Sequence, residues 1–274
     1  NLRVINDGLM GIGMSWAPDG RAYFADWIGG YPLDGKGAIW RFDVAPNIDK
    51  TSEEFLSKPF ATPVPREELL GLLGHRDQRV RVNASIRLHR QGAWSEMLAV
   101  AKDAHSPRLA RIHAIWGYGM GLRQARFDDI TPALALLDDA DTEIRVQALK
   151  VFSETKATPE LVAKAAAQLA QPDLRLRTQA GLTLGKLGAA VSFASFFLRD
   201  AAAELRLPWL RHGLVTGLAG TQESSALLKV AQDNQGAEAV FATLALSRQR
   251  SPLLSRLLGH ANPEVVVEDR KSVV

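Results

Sequence analysis

Five arginines recur at a nearly fixed spacing along this chain: Arg81, Arg111, Arg145, Arg177 and Arg211. Each follows an apolar anchor (Val80, Ala110, Ile144, Leu176, Leu210), and the anchors are 30, 34, 32 and 34 residues apart. A row of guanidinium groups could meet phosphates or an acidic partner, because each carries five donors in a rigid fork. The same fork could instead bond to an Asp or a backbone carbonyl of the adjoining repeat, making a structural ladder with Asp77, Asp141 and Asp173. Register beside a buried anchor favours the ladder. Arg79, Arg87, Arg90, Arg175 and Arg206 fall off that register, so they are candidates for an exposed contact surface or a solvated face.

Other reactive residue types lack the company that chemistry needs. No two of the six histidines have the i, i+4 spacing of a helical zinc motif, and no carboxylate cluster accompanies them. His75 and His260 fall at repeat turns, where bonds to backbone are expected. Gly35-Lys36-Gly37 lacks the spacing of a phosphate loop and reads as an inter-strand loop. Asp26 at a strand end could be a ligand or base, but nothing beside it in sequence completes a pair, so a turn-capping role is favoured. Nucleophile-elbow and kinase signatures are absent. The expectation is therefore no catalytic, metal or cofactor-binding residue in this chain.

Composition narrows the class. The chain has 274 residues, 46% hydrophobic and 23% charged, an ordinary globular balance. A net charge of +3 is too small for a dedicated nucleic-acid binder. No apolar run approaches the ~20 residues of a membrane span. The absence of cysteine excludes disulfides, thiolate sites and C-x-x-C-H haem attachment within the chain.

The elements that must position the arginines follow from period. In Pro172 to Gly188, Asp173 can cap a helix, Leu176, Ala180, Leu184 and Leu187 share one face, and Gly188 can end it. Four residues after each anchor come Ala84, Ala114, Ala148, Ala180 and Leu214; eight after it come Leu88, Tyr118, Phe152, Leu184 and Leu218. Three before it come Asp77, Pro107, Asp141, Asp173 and Leu207, mostly helix-start residues. Apolar helices are expected ahead of these, at 67–73, 95–101, 129–137, 159–169 and 191–198. The phrase Leu72-Leu73-Gly74-His75 returns as Leu257-Leu258-Gly259-His260, as though a further repeat begins there. A period this regular predicts a mainly α fold, an α-solenoid of helical hairpins at 66–268.

Residues 1–44 differ. Met14 to Trp16, the turn Ala17-Pro18-Asp19-Gly20 and Arg21 to Trp27 read as a hairpin. After a Gly-rich loop, Ala38 to Val44 alternates with period 2. Three strands cannot bury both faces of a sheet alone, so a larger β domain is implied. Residues 45–65, with four prolines, read as a linker.

The helical pattern resembles HEAT repeats, of a short kind found in some bacterial proteins. The N-terminal string from Trp16 to Trp27, then Gly35-Lys36-Gly37-Ala38-Ile39-Trp40-Arg41, then repeats, is similar to large exported bacterial proteins described as membrane-bound dehydrogenases of planctomycetes and their relatives. In that family a glucose/sorbosone dehydrogenase-like β-propeller precedes HEAT repeats and a c-type cytochrome domain. The resemblance implies that 1–44 is the end of a propeller, with c-type haem and a propeller-bound cofactor or ion elsewhere in the parent protein. It also implies a periplasmic or exported location, and a non-catalytic array whose partners are other domains of the same polypeptide or another protein. The alternative is a stand-alone repeat module for protein–protein interaction. Residues 269–274 break the helical pattern and are expected to be a non-native tail.

Overall fold

Strands form where aromatic and β-branched residues alternate with small or polar ones, and helices where apolar residues return every third or fourth position. The computed structural model describes residues 11–17, 21–27, 36–42, 50–197 and 200–266. These are mainly helical, with one short antiparallel sheet near the N-terminus. The chain divides into two compact units, residues 1–87 and 88–274. The turn at 18–20, the Gly-rich loop at 28–35, and the expected tail at 269–274 lie outside the described residues.

In the first unit, β1 (Gly11–Trp16), β2 (Ala22–Asp26) and β3 (Ala38–Phe42) form a meander in that order. Met14 pairs with Phe24 and Phe24 with Trp40, so these three share a face with Trp16 and Phe42. The Phe24 and Phe42 rings meet edge to face at 4.7 Å. Three helices follow: α1 (Lys50–Ser57), α2 (Arg66–Leu72) and α3 (Gln78–Arg90), which runs across the division between the units.

The stretch expected as a plain linker is partly ordered: α1 lies within it and buries Phe55, and Val64 is buried beyond it. Its prolines shape a turn instead of loosening the chain, with Thr62 N–H donating to Pro59 O at 2.9 Å.

The second unit comprises α4 (Trp94–Lys102), α5 (Arg108–Arg123), α6 (Thr142–Phe152), α7 (Pro159–Ala167), α8 (Leu174–Leu187), α9 (Ala201–Leu205), α10 (Pro208–Thr221), α11 (Ser224–Asp233) and α12 (Ala237–Arg248). Helix α5 packs on α6, α6 on α8, α8 on α10 and α10 on α12. The helices at 129–137 and 191–198 are shorter than the sequence predicts. They are 3₁₀ segments at Thr131–Asp138, opened by Pro132, and at Phe193–Phe196. A 3₁₀ segment rises ~2.0 Å per residue and spans more distance with fewer residues than an α-helix.

Helix starts agree with the chemistry of their first residues. Asp141 accepts from Glu143 N–H at 2.9 Å, and Asp173 accepts from Leu176 N–H at 2.7 Å. Gly188 ends α8 with φ of 65°, the left-handed conformation that a Cβ would disfavour. The two copies of Leu-Leu-Gly-His adopt the same turn. His75 Nδ1 accepts from Asp77 N–H and His260 Nδ1 from Asn262 N–H, each at 3.0 Å, and five residues later Val80 and Val265 are both buried.

Candidate functional site

All fifteen side chains at the anchor, +4 and +8 positions are buried, from Val80, Ala84 and Leu88 through Leu210, Leu214 and Leu218. An arginine one residue after the anchor sits in the first helical turn, and its Cα–Cβ bond tilts toward the helix N-terminus. The side chain therefore reaches backward, into the segment that precedes its own helix. Arg81 donates to His75 O (2.7 Å) and Arg76 O (2.9 Å), Arg111 to Ala101 O (2.8 Å), Arg145 to Asp139 O (3.1 Å), Arg177 to Leu169 O (2.8 Å) and Arg211 to Leu205 O (3.3 Å).

The expected ladder to the adjoining repeat is thus corrected: the carbonyls belong to the segment just ahead of each arginine's own helix, either its turn or the last turn of the element before it. Two arginines also reach forward. Arg111 holds the Asp139 carboxylate, ahead of α6, and Arg177 lies 2.6 Å from Glu204 of α9. None of these bonds is made to Asp77, Asp141 or Asp173, which are helix caps, the first two of them also serving other arginines. Asp77 accepts from Arg79 N–H and from its guanidinium, and Asp141 accepts from Arg108 Nε at 2.5 Å. The Arg79 side-chain hydrogen bond, assisted by backbone and charge, holds the Asp77 carboxyl below its usual range against the opposing effect of burial.

The exposed-surface candidates separate. Arg87 is 3% exposed: it donates to Asn83 Oδ1 and to the carbonyls of Lys58, Pro59, Phe60 and Thr62, and it stacks over the Phe60 ring at 4.7 Å. It is a core residue, contrary to the sequence reading. Arg79 is half-buried on Asp77 and donates to Ala17 O. Arg175 is exposed, yet its fork closes on both oxygens of Glu143. Arg90 is exposed, and Arg206 is exposed without an acidic partner among the described residues.

Arg175 also ends a polar ribbon that spacing alone does not reveal. Trp116 Nε1 of α5 donates to Gln147 Oε1 of α6 at 2.9 Å, Gln147 Nε2 donates to Glu143 Oε1 at 2.5 Å, and Glu143 receives Arg175 of α8. A second feature missed there is the glycine seam of α8 and α10. A Cβ on Gly181 would lie 2.5 Å from Gly213 O, one on Gly213 2.6 Å from Thr178 O, and one on Gly220 2.6 Å from Gly185 Cα. The two helices touch backbone to backbone. The i, i+4 pairs Gly181/Gly185 and Gly213/Gly217 were the available signal.

The second unit carries a groove of about 1020 Å³. Ala202, Leu205 and Arg206 line it from α9 and its C-terminus, Arg211 from α10, Val240 and Leu244 from α12, and Asn262 and Glu264 from the start of the turn at 263–266. Arg206 and Arg211 are both exposed there, beside an apolar floor. Trp209, between them in sequence, is 82% exposed.

The remaining candidates bond locally. Asp26 accepts from Trp40 Nε1 at 2.8 Å, a cross-strand bond within the sheet. His89 lies between Trp94 and Gln124; because an indole N–H only donates, His89 Nδ1 accepts and Nε2 carries the proton. His105 is exposed beside Asp103, and His260 donates through Nε2 to Asn234 O. Burial, helped by the Asp129 charge, pushes the Tyr118 hydroxyl up to about 12. Among the described residues, no helix is long and apolar enough to cross a membrane.

No protein-family model and no curated protein matches this chain.

Proposed function

We propose that the helical part of this chain is an α-solenoid of HEAT-like hairpins that acts as a scaffold and docking region, with no chemistry of its own. The observation that carries this reading is the use of the regularly spaced arginines: Arg81, Arg111, Arg145 and Arg177 each donate to a backbone carbonyl of their own packing. Side chains committed in this way hold hairpins together and leave no row of cations for a phosphate backbone. Sequential packing of α5, α6, α8, α10 and α12 supports a stack in which each hairpin buries its apolar stripe on the next.

The parent protein in this reading is an exported oxidoreductase with a sugar- or alcohol-oxidising propeller before the array and a c-type haem domain after it. The motif from Trp16 to Arg41 and its place ahead of the repeats support this, as does the three-strand meander, which leaves Met14, Trp16 and Trp40 substantially exposed. Cloning the surrounding reading frame tests it. Further blades upstream and a C-x-x-C-H downstream are expected, and the expressed parent is expected to stain for covalent haem; a frame with neither removes the dehydrogenase assignment.

A stand-alone interaction module is the second reading, favoured by the basic groove at Arg206 and Arg211. A frame without blades or haem motif would select it.

A further inference from the structure

The fifth arginine of the series breaks the pattern of the other four. Arg81, Arg111 and Arg177 are buried and Arg145 half-buried, whereas Arg211 is exposed and makes a single bond of 3.3 Å to Leu205 O. Two arginines that stand just ahead of the anchors in earlier copies differ from Arg206 in the same way. Arg108 is closed on Asp141 and Arg175 on Glu143, while Arg206 meets no acidic side chain among the described residues. Both exceptions fall in one place, the groove of about 1020 Å³ under α9, α10 and α12.

That groove supplies three kinds of recognition. Arg206 and Arg211 are cationic forks that match a carboxylate bidentately. Val240, Leu244, Leu205 and Ala202 give an apolar floor. Gly236 and Ala237 bring the amide groups that open α12, whose first N–H groups have no intrahelical partner, and Asn262 and Glu264 contribute acceptors on the other wall. Cations with no acidic partner among the described residues, an apolar floor and flanking acceptors together suit an extended polypeptide, whose own N–H groups need acceptors and whose side chains alternate in direction. They do not suit a nucleic-acid backbone, which needs a longer track of free cations; here the neighbouring Arg108 and Arg175 are already paired, and Glu264 repels phosphate.

We infer that this groove docks an extended peptide segment bearing Asp or Glu next to an apolar residue, the carboxylate held between Arg206 and Arg211 and the apolar side chain lying over Val240 and Leu244. This inference rests on the docking reading above and names the chemistry of its partner.

The test is selection of a randomised dodecapeptide display library on the intact 274-residue chain, followed by anisotropy titration of the fluorescein-labelled winners. Sequences with an acidic residue beside an apolar one are expected. Their affinity should fall at least 10-fold in Arg206→Ala/Arg211→Ala, a variant whose two sites are exposed and whose melting temperature should be unchanged. The charge-reversed variant Arg206→Glu/Arg211→Glu should instead enrich Lys- or Arg-bearing peptides. Selected peptides that bind both variants as well as the parent would overturn the inference, as would selection of no acidic motif. A 20-nucleotide single strand of DNA that binds through the same two arginines, where acidic peptides do not, would overturn it in favour of nucleic acid. A haem-bearing parent with a silent groove would sink this inference and leave the scaffold reading standing; a lost dehydrogenase parentage with a responsive groove would do the reverse to the parentage alone.

Discussion

Arg177 Nη1 lies 2.6 Å from Glu204 Oε1, with the two side chains only 1% and 6% exposed. Both side chains are buried, and among the described residues Arg177 Nη2 and both Glu204 oxygens have no hydrogen-bond partner, so the pair is held by charge. It ties α8 to the five-residue α9, the wall from which Arg206 enters the groove.

Breaking this pair one-sidedly strands a charge. Glu204→Leu or Arg177→Met should each destabilise the chain by about 3–5 kcal/mol, while the double variant should recover most of that loss. Urea denaturation of the three variants measures it. Additive losses would mean that the charges do not sense each other.

Helices α8 and α10 leave no room for a methyl group at their seam. Gly220→Ala, whose Cβ would lie 2.6 Å from Gly185 Cα, should cost about 1–3 kcal/mol or more by overpacking, outweighing the helix-propensity gain. Gly71→Ala in α2 is the control, since a Cβ there meets nothing within 4 Å; it should stabilise by up to about 1 kcal/mol. Melting temperatures of the two variants should move in opposite directions.

Arg87 tests fork geometry against charge. Its nitrogens donate to Asn83 and to four carbonyls between Lys58 and Thr62, and a lysine ammonium has three donors on a single point. Arg87→Lys should therefore destabilise by about 1–3 kcal/mol, because a buried side chain would lose most of its hydrogen bonds. Limited proteolysis should then cut within 58–62 faster than in the parent. Unchanged stability would show that charge alone suffices.

Tyr118 titrates near 12 in the folded chain against an ordinary value of 10.0. The folded state holds this proton more tightly, so the stabilisation is fully present below pH 10 and is lost as pH rises toward 12. Denaturation free energy should decline over that window in the parent and decline less in Tyr118→Phe. Parallel curves for the two would contradict a buried, neutral phenol.

The five arginine-bearing helices and the register of their apolar faces were legible in the sequence. Period and apolar spacing are local properties, and the buried set from Val80 to Leu218 could be written down from numbering alone. Helix caps such as Asp141 and Asp173 were legible for the same reason, since a cap bonds within three residues of itself.

Tertiary structure decided which arginines are free. Arg87 and Arg206 are alike in type and both lie off register, but one is enclosed by a turn 25–29 residues away and the other stands at a groove wall. Arg177 and Arg211 occupy equivalent positions and end with opposite exposure, because a carboxylate on α9 meets the first and none among the described residues meets the second. A guanidinium's fate is set by acceptors brought to it from distant segments, and sequence spacing carries no record of where those segments pack.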